Sequence, residues 1–339
     1  HGFEHAFDRA PLKGNLHVWP AGGRPMVLGV SATGPAVLDL ASGTLREWPD
    51  TIHGAQCTFG GIGPSWRPDH FIFTGHRPGD LPWNCQPYRS RRLLPTLVTE
   101  PDAGPAVSGF QAWATGEIAP GRWVLTSDDH TLAFDCRSGV CVEGPDLFWT
   151  GGATQVLLSP RGDRALLDYF RPRMLDPESM TIAYRLEQYR WVVDAAFAPT
   201  GDTVFVAGQA AYPATGGLMQ AIRTDDGAML ADIATATPGG TIISPSGVGL
   251  DPVGPWIYLA GEVPLDSLHL PALLVIDRAS LRPAALLRAA EPDPWLWAPY
   301  DRLTIVPAPS EQAVYLVWET LQYDPPARPT RVYRFGRPP

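Results

Sequence analysis

The sequence predicts an all-β chain, a seven-bladed β-propeller of four-stranded antiparallel blades. Three observations predict it. An apolar run, a Pro-bearing turn and a second apolar run recur seven times along the 339 residues. The turn prolines are Pro20, Pro68, Pro120, Pro160, Pro199, Pro252 and Pro307, spaced from 39 residues (Pro160 to Pro199) to 55 (Pro252 to Pro307). That range brackets the repeat of a propeller blade, about 40–50 residues. Finally, 37 Pro and 34 Gly stand against only 18% charged residues, a balance that long helices tolerate poorly and that many short strands joined by turns require.

In chain order the copies are LHVWPAGGRPMVLGV (16–30), GPSWRPDHFIFTG (63–75), FQAWATGEIAPGRWVLTS (110–127), TQVLLSPRGDRALLDY (154–169), AAFAPTGDTVFVAG (195–208), VGLDPVGPWIYLAG (248–261) and LTIVPAPSEQAVYLVWE (303–319). Most are followed by a second hairpin, as in VLDLASGTLREW from Val37, LAFDCRSGVCVE from Leu132, AIRTDDGAMLAD from Ala221 and LVIDRASLRPAAL from Leu274. Here a strand ends near Asp, a small polar turn follows, and Gly often supplies the positive φ the turn needs. Two hairpins make one four-stranded blade. Seven blades set radially leave only short edges.

The chain then reads as one domain, 1–339, with blades at 10–50, 51–101, 102–146, 147–190, 191–236, 237–290 and 291–339. The last blade lacks an outer strand. RVYRF (331–335) serves as its third strand, and FEHAF (3–7) is expected to pair there as its fourth, closing the ring.

Charge excludes some functions. The net charge is −9 and the pI about 5.3, which gives no support for nucleic-acid or anionic-membrane binding, since both favour a basic stripe. The one basic cluster, Arg89, Arg91 and Arg92, reads as a solvated strand edge or loop. Lys13 is the only lysine. No run of about 20 apolar residues exists to span a membrane as a helix. The chain starts at His1 rather than Met, so the expectation is a removed leader or a trimmed terminus.

The four cysteines are Cys57, Cys85, Cys136 and Cys141. Cys136 and Cys141 flank the turn in FDCRSGVCV, where facing Cβ atoms lie at disulfide distance. Cys57 and Cys85 then pair by elimination. The competing reading is four free buried thiols. The disulfide reading carries with it an oxidising, extracytoplasmic compartment: periplasmic, cell-surface or secreted. No CxxC occurs, which argues against zinc.

FAPTGDTVFVAG (197–208), LSPRGDRALLDY (158–169) and the strand-Asp-x-x-x-Gly hairpins resemble the repeats of bacterial YVTN-type, quinoprotein-amine-dehydrogenase-like seven-bladed propellers. The resemblance covers two blades well and the others in outline. It departs from the WD-repeat pattern: no Trp-Asp pair occurs, and Gly75-His76 is the only Gly-His. The repeated tryptophan-docking motif of eight-bladed quinone dehydrogenases is missing too. The resemblance implies an extracytoplasmic propeller whose relatives are mostly binding or scaffold modules and occasionally enzymes. Fold does not decide between those.

Candidate chemistry concentrates where one blade hands over to the next. Trp149, Trp191, Trp295 and Trp297 fall in these connections, which lie at one mouth of the central channel, with His53, Asp194, Tyr300 and Asp301 near the same mouth. Aromatic walls with a few polar groups describe a ligand site. The competing role for any one Trp is a wedge between blades. The expected ligand-binding set is His53, Trp149, Trp191, Asp194, Trp297, Tyr300 and Asp301.

Other signals are weaker. A free amino-terminal His chelates copper through its amine and ring, which makes His1, with His5, a metal candidate needing a third ligand such as His17. Asp225-Asp226-Gly227 resembles part of a calcium loop without its spaced carboxylates and closing Glu. No cofactor is predicted on these grounds. Arg161-Gly162-Asp163 spells an adhesive tripeptide, yet Thr200-Gly201-Asp202 fills the same place in the next copy, so Gly and Asp serve the turn. Asp128-Asp129-His130 reads as a solvated turn. GxSxG, HExxH and Walker A motifs are absent, and no catalytic residue is predicted.

Two function classes remain. One is an extracytoplasmic binding or scaffold module that takes a protein partner or small ligand at the channel mouth. The other is a propeller enzyme, a lyase or hydrolase or a metal- or quinone-linked redox protein, with its site in the central funnel.

Overall fold

The computed structural model describes residues 2–9, 12–19, 24–31, 35–47, 61–67, 70–76, 87–93, 98–99, 104–105, 114–126, 131–144, 155–167, 169–170, 172–211, 217–265, 268–290, 303–318 and 330–338. After β1 (Phe3–Arg9), the chain lays down antiparallel meanders one after another. The first is β2 (Lys13–Val18), β3 (Met26–Val30), β4 (Pro35–Asp39) and β5 (Leu45–Glu47). Next come β6 (Gly61–Pro64), β7 (His70–His76), β8 (Pro87–Leu93) and β9 (Val98–Thr99), then β10 (Ala114–Ala119), β11 (Arg122–Thr126), β12 (Thr131–Asp135) and β13 (Val142–Glu143).

In the following sheet β14 (Val156–Leu158), β15 (Ala165–Leu167), β17 (Arg173–Asp176) and β18 (Thr181–Arg185) are neighbours. The intervening β16 (Tyr169–Phe170) leaves to join the next sheet. There it lies outside β19 (Tyr189–Phe197), followed by β20 (Thr203–Ala210), β21 (Gly217–Arg223) and β22 (Met229–Asp232), five strands in all. A small hairpin, β23 (Ala236–Thr237) and β24 (Gly240–Thr241), precedes the sheet of β25 (Ser244–Leu250), β26 (Trp256–Leu265), β27 (Leu268–Asp277) and β28 (Arg282–Arg288). The last sheet is β29 (Leu303–Ala308), β30 (Ala313–Trp318) and β31 (Thr330–Gly336), with β1 on its outer edge.

The first strand of each meander packs against the first strand of the next, and β29 packs against β2, so the sheets close into a β-propeller of four-stranded blades. The expected closure holds. β1 pairs antiparallel with β31, from Phe3 opposite Phe335 to Arg9 opposite Thr330. Phe3 meets Phe335 edge to face at 5.6 Å, and Leu12 N–H donates to Thr330 Oγ1 at 2.8 Å.

The core lies between neighbouring sheets, one apolar cluster for each pair. Ile72, Trp123, Leu125 and Phe134 join the β6–β9 and β10–β13 sheets. Leu166, Met174, Val192, Val204 and Val206 join the next sheet to the β19–β22 sheet. Inner strands such as β11 and β30 are therefore buried on both faces, which explains near-continuous apolar runs such as LVI in β27, whereas outer strands such as β18 alternate between half-buried and exposed. Burying one such side chain fully stabilises by about 1.5–3 kcal/mol.

First strands come very close to one another. A Cβ added to Gly63 would lie 1.4 Å from the Thr115 carbonyl oxygen, and one on Gly247 would lie 1.9 Å from that of Leu303. Only glycine permits backbones to approach this closely.

Turn chemistry follows the sequence with two exceptions. Gly162 and Gly201 hold positive φ after Pro160 and Pro199, as the repeat predicts. The outer turns place positive φ four residues after the strand's last residue, at Gly43, Gly139 and Gly227, but also at Met180 and Leu281. Those two tolerate the strained backbone because Met180 is buried in one interface cluster and Leu281 packs against another. Asp39, Asp176 and Asp277 each accept turn N–H groups. The second exception is Pro307, expected in the last inner turn. It sits inside β29 opposite Val314, and a 3-10 turn at Pro309–Glu311 makes the reversal instead.

Cys136 and Cys141 form a disulfide across the outer hairpin β12–β13, with Cα atoms 3.9 Å apart. Cys57 and Cys85 lie outside the described residues. Among the described residues no helix is long and apolar enough to cross a membrane.

Candidate functional site

The first strands of the blades run in one direction, as the parallel bridge between Ser65 and Glu117 illustrates. Their starting ends therefore gather at one rim of the ring. Trp191 and Asp194 both lie on β19, near its start, where two irregularities in the pairing with β20 shift the register. A Cβ on Gly208 would lie 2.2 Å from the Trp191 carbonyl oxygen, so glycine admits the first of these bulges.

Trp191 is half-buried, and the Arg190 guanidinium stands 4.7 Å from its ring centroid. Asp194 is buried, and its Oδ2 accepts the Val248 N–H at 2.8 Å. The carboxylate thus ties β19 to β25 of the next sheet. His53, Trp149, Trp297, Tyr300 and Asp301 lie outside the described residues, as do Trp295 and the run Asp128-Asp129-His130.

Sequence reasoning missed β16. It pairs with the edge of β19 opposite β20, with Phe170 facing Trp191 and Tyr169 facing Val192. This extra strand brings one aromatic position, Phe170, into register with Trp191. The available signal was the Tyr-Phe-Arg-Pro insertion between the second and third apolar runs of that blade.

A second polar pair was also missed. Glu262 and His269 stand on the long β26–β27 hairpin, where Ser244, the first residue of β25, pairs with Glu262. The pair is therefore at the starting end of β25, the same rim as Trp191. His269 Nδ1 lies 2.6 Å from Glu262 Oε2. The Glu262 side chain is 8% exposed and that of His269 33%. Among the described residues His269 is the only hydrogen-bond partner of the Glu262 carboxyl group. Burial pushes the Glu262 carboxyl above its ordinary range, against the pull of His269. By strand alternation Glu262 continues the row of Tyr258 and Ala260, which pack with Trp318 against the closing sheet. The sequence signal was slight: one Glu and one His inside the apolar hairpin GEVPLDSLHL.

Other candidates resolve into structure. Arg161 of the adhesive-like tripeptide is paired with Asp163 and with Asp225 of the next sheet. These carboxylates hold its guanidinium above its ordinary range. Asp226 accepts from Arg223 and from the Ala228 N–H, so the calcium-like turn is built on protein partners. His5 stacks on Phe7 at 5.0 Å, and His17 Nε2 lies 2.9 Å from the Ile62 carbonyl oxygen. His1 lies outside the described residues. No group of three His, Cys, Asp or Glu able to hold a metal occurs among the described residues. The Arg89, Arg91 and Arg92 cluster lies on β8, whose side chains are outside the description.

No family model matches the chain, and no curated protein matches it. Solved structures do. A chain in the crystal structure of the mitotic checkpoint complex aligns with a TM-score of 0.59 at 10% identity, over 99% of this chain and 91% of that one. A chain of Kuenenia stuttgartiensis hydrazine synthase aligns with a TM-score of 0.48 at 11% identity, over 80% and 77%. At such identity the first likeness shows the propeller fold alone, and the second carries no argument.

Proposed function

We propose that this chain is a single seven-bladed propeller domain of YVTN-like type, 1–339, that works outside the cytoplasm as a binding or scaffold module. The five-stranded sheet counts as one blade, with β16 as an added strand, and the blades follow the boundaries 10–50, 51–101, 102–146, 147–190, 191–236, 237–290 and 291–339. The partner, a protein or a small molecule, is taken at the channel mouth by His53, Trp149, Trp191, Asp194, Trp297, Tyr300 and Asp301. One observation supports this above the others: a half-buried Trp191 stands at the rim beside a carboxylate anchored to the next sheet. A rigid aromatic surface with a fixed polar wall is how binding sites gain orientation at low entropic cost. The outer-hairpin disulfide fits an oxidising compartment.

The test is retention of a partner from native-host extract by the full chain and by a Trp191→Ala/Trp297→Ala variant with an unchanged unfolding midpoint. Loss of a specific partner in the variant supports the mouth as the site. Equal retention by the well-folded variant rejects it.

A further inference from the structure

We propose that Glu262 and His269 form a general-base dyad that activates water at the rim for the hydrolysis of a small neutral acyl ester. This activity goes beyond the binding role and does not depend on it.

The buried carboxylate is the first argument. The Glu262 side chain is 8% exposed, and its carboxyl group has one hydrogen-bond partner among the described residues. A buried carboxylate held by a single partner is a poor stabilising device, because desolvation offsets the attraction, and an apolar residue in this row of Tyr258 and Ala260 serves packing better. What the carboxylate does achieve is orientation. It lies 2.6 Å from Nδ1, and an ionised carboxylate there holds the proton on Nδ1 and leaves the Nε2 lone pair free. His269 is a third exposed, and no partner engages its ring apart from Glu262 among the described residues. The proton-accepting nitrogen therefore belongs to the half of the ring that Glu262 leaves open.

The chemistry balances with water alone. As the water oxygen bonds to the ester carbonyl carbon, Nε2 takes one water proton. The tetrahedral intermediate then breaks its bond to the alcohol oxygen, and the proton passes from Nε2 to the departing alkoxide. Acid and alcohol leave and His269 returns to its starting state. The Nδ1 proton stays on His269 throughout, donated to Glu262, whose charge stabilises the transient imidazolium, which makes Glu262 a positioning residue. The net charge of −9 and the adjacent carboxylate disfavour anionic substrates such as phosphate esters, which leaves neutral esters.

The probe is p-nitrophenyl acetate with the full chain, referenced to an equal concentration of free imidazole. Hydrolysis above that reference, falling at least about 100-fold toward it in His269→Gln, is expected. In Glu262→Leu nothing accepts the Nδ1 proton, so imidazole nitrogen NMR should report a shift of the proton toward Nε2 while hydrolysis falls. Diethyl pyrocarbonate supplies a second route if a variant misfolds: hydrolysis by the native chain should decline in proportion to carbethoxylation of His269. A native rate no higher than free imidazole, or hydrolysis that survives complete His269 modification, overturns the proposal. Partner retention through Trp191 is read separately and is unaffected by either result.

Discussion

Arg337 grips Asp251 with two parallel hydrogen bonds, Nε to Oδ2 at 2.6 Å and Nη2 to Oδ1 at 3.0 Å. The carboxylate also accepts the Tyr258 hydroxyl at 2.8 Å and the N–H groups of Val253 and Gly254. Asp251 sits in the β25–β26 turn and Arg337 just beyond β31. Their pairing fastens the closing sheet to its neighbour, beside the junction that β1 and β31 make within that sheet.

Arg337→Ala should therefore loosen the ring where it closes. Removing one partner of a buried ion pair costs about 3–5 kcal/mol. The Asp251 side chain is 0% exposed and retains three other donors, so the lower end applies, about 3 kcal/mol. Urea unfolding should show the midpoint drop, and amide exchange should speed up first in β31 and β1. An unchanged midpoint would mean the latch carries no stability.

The same carboxylate predicts acid sensitivity. Burial alone raises the Asp251 carboxyl, but Arg337, Tyr258 and the two N–H groups outweigh it and hold the group below its ordinary range. A carboxylate depressed in the folded state contributes stability that is present above the unfolded value, about 3.9, and lost as pH falls through the folded value. Asp251→Asn should be less stable than the native chain at neutral pH, and the difference should shrink as pH falls below about 4. A difference constant with pH would rule out this linkage.

Gly247→Ala should be among the most damaging single-methyl changes in the chain. The added Cβ meets the Leu303 carbonyl oxygen at 1.9 Å, a backbone atom that cannot swing away. The first strands of two sheets must then separate, at a cost above the about 1–3 kcal/mol of ordinary overpacking. Gly139→Ala tests the specificity: its Cβ meets nothing within 4 Å, and only its positive φ is strained. Calorimetry that finds the two variants equally stable would refute the close-approach argument.

The Cys136–Cys141 disulfide should stabilise modestly. It closes a loop with a sequence separation of only 5, and chain-entropy arguments give about 2 kcal/mol for a loop so short. It sits on an outer hairpin whose Val140 and Val142 are exposed. A double Ser variant should keep the propeller's circular dichroism and lose a few degrees in Tm. Global unfolding on its loss would contradict this outer-hairpin position.

Local physics was legible in the sequence. Pro160 with Gly162 and Pro199 with Gly201 announce turns because each residue has a backbone reason to be there, and the apolar runs beside them announce strands buried on both faces. Phe3–Phe7 and Arg331–Phe335 read as partners because the last blade was short of a strand, and β1 does pair with β31. Trp191 and Asp194, expected where one blade hands over to the next, lie within β19, near its start. The sequence alone could not say that Asp194 is spent on the Val248 N–H.

Tertiary structure decided the remainder. Met180 and Leu281 adopt the backbone expected of glycine because interface clusters hold their side chains. Pro307 joins a strand because the turn forms two residues later. β16 leaves its own sheet for the edge of β19, Arg337 finds Asp251 across 86 residues, and a lone Glu and His in an apolar hairpin become a hydrogen-bonded pair. Turn residues and strand alternation act over a few neighbours, so a linear pattern records them. Which distant groups share a desolvated contact depends on how the sheets close into a ring, and that is set only when the whole chain has folded.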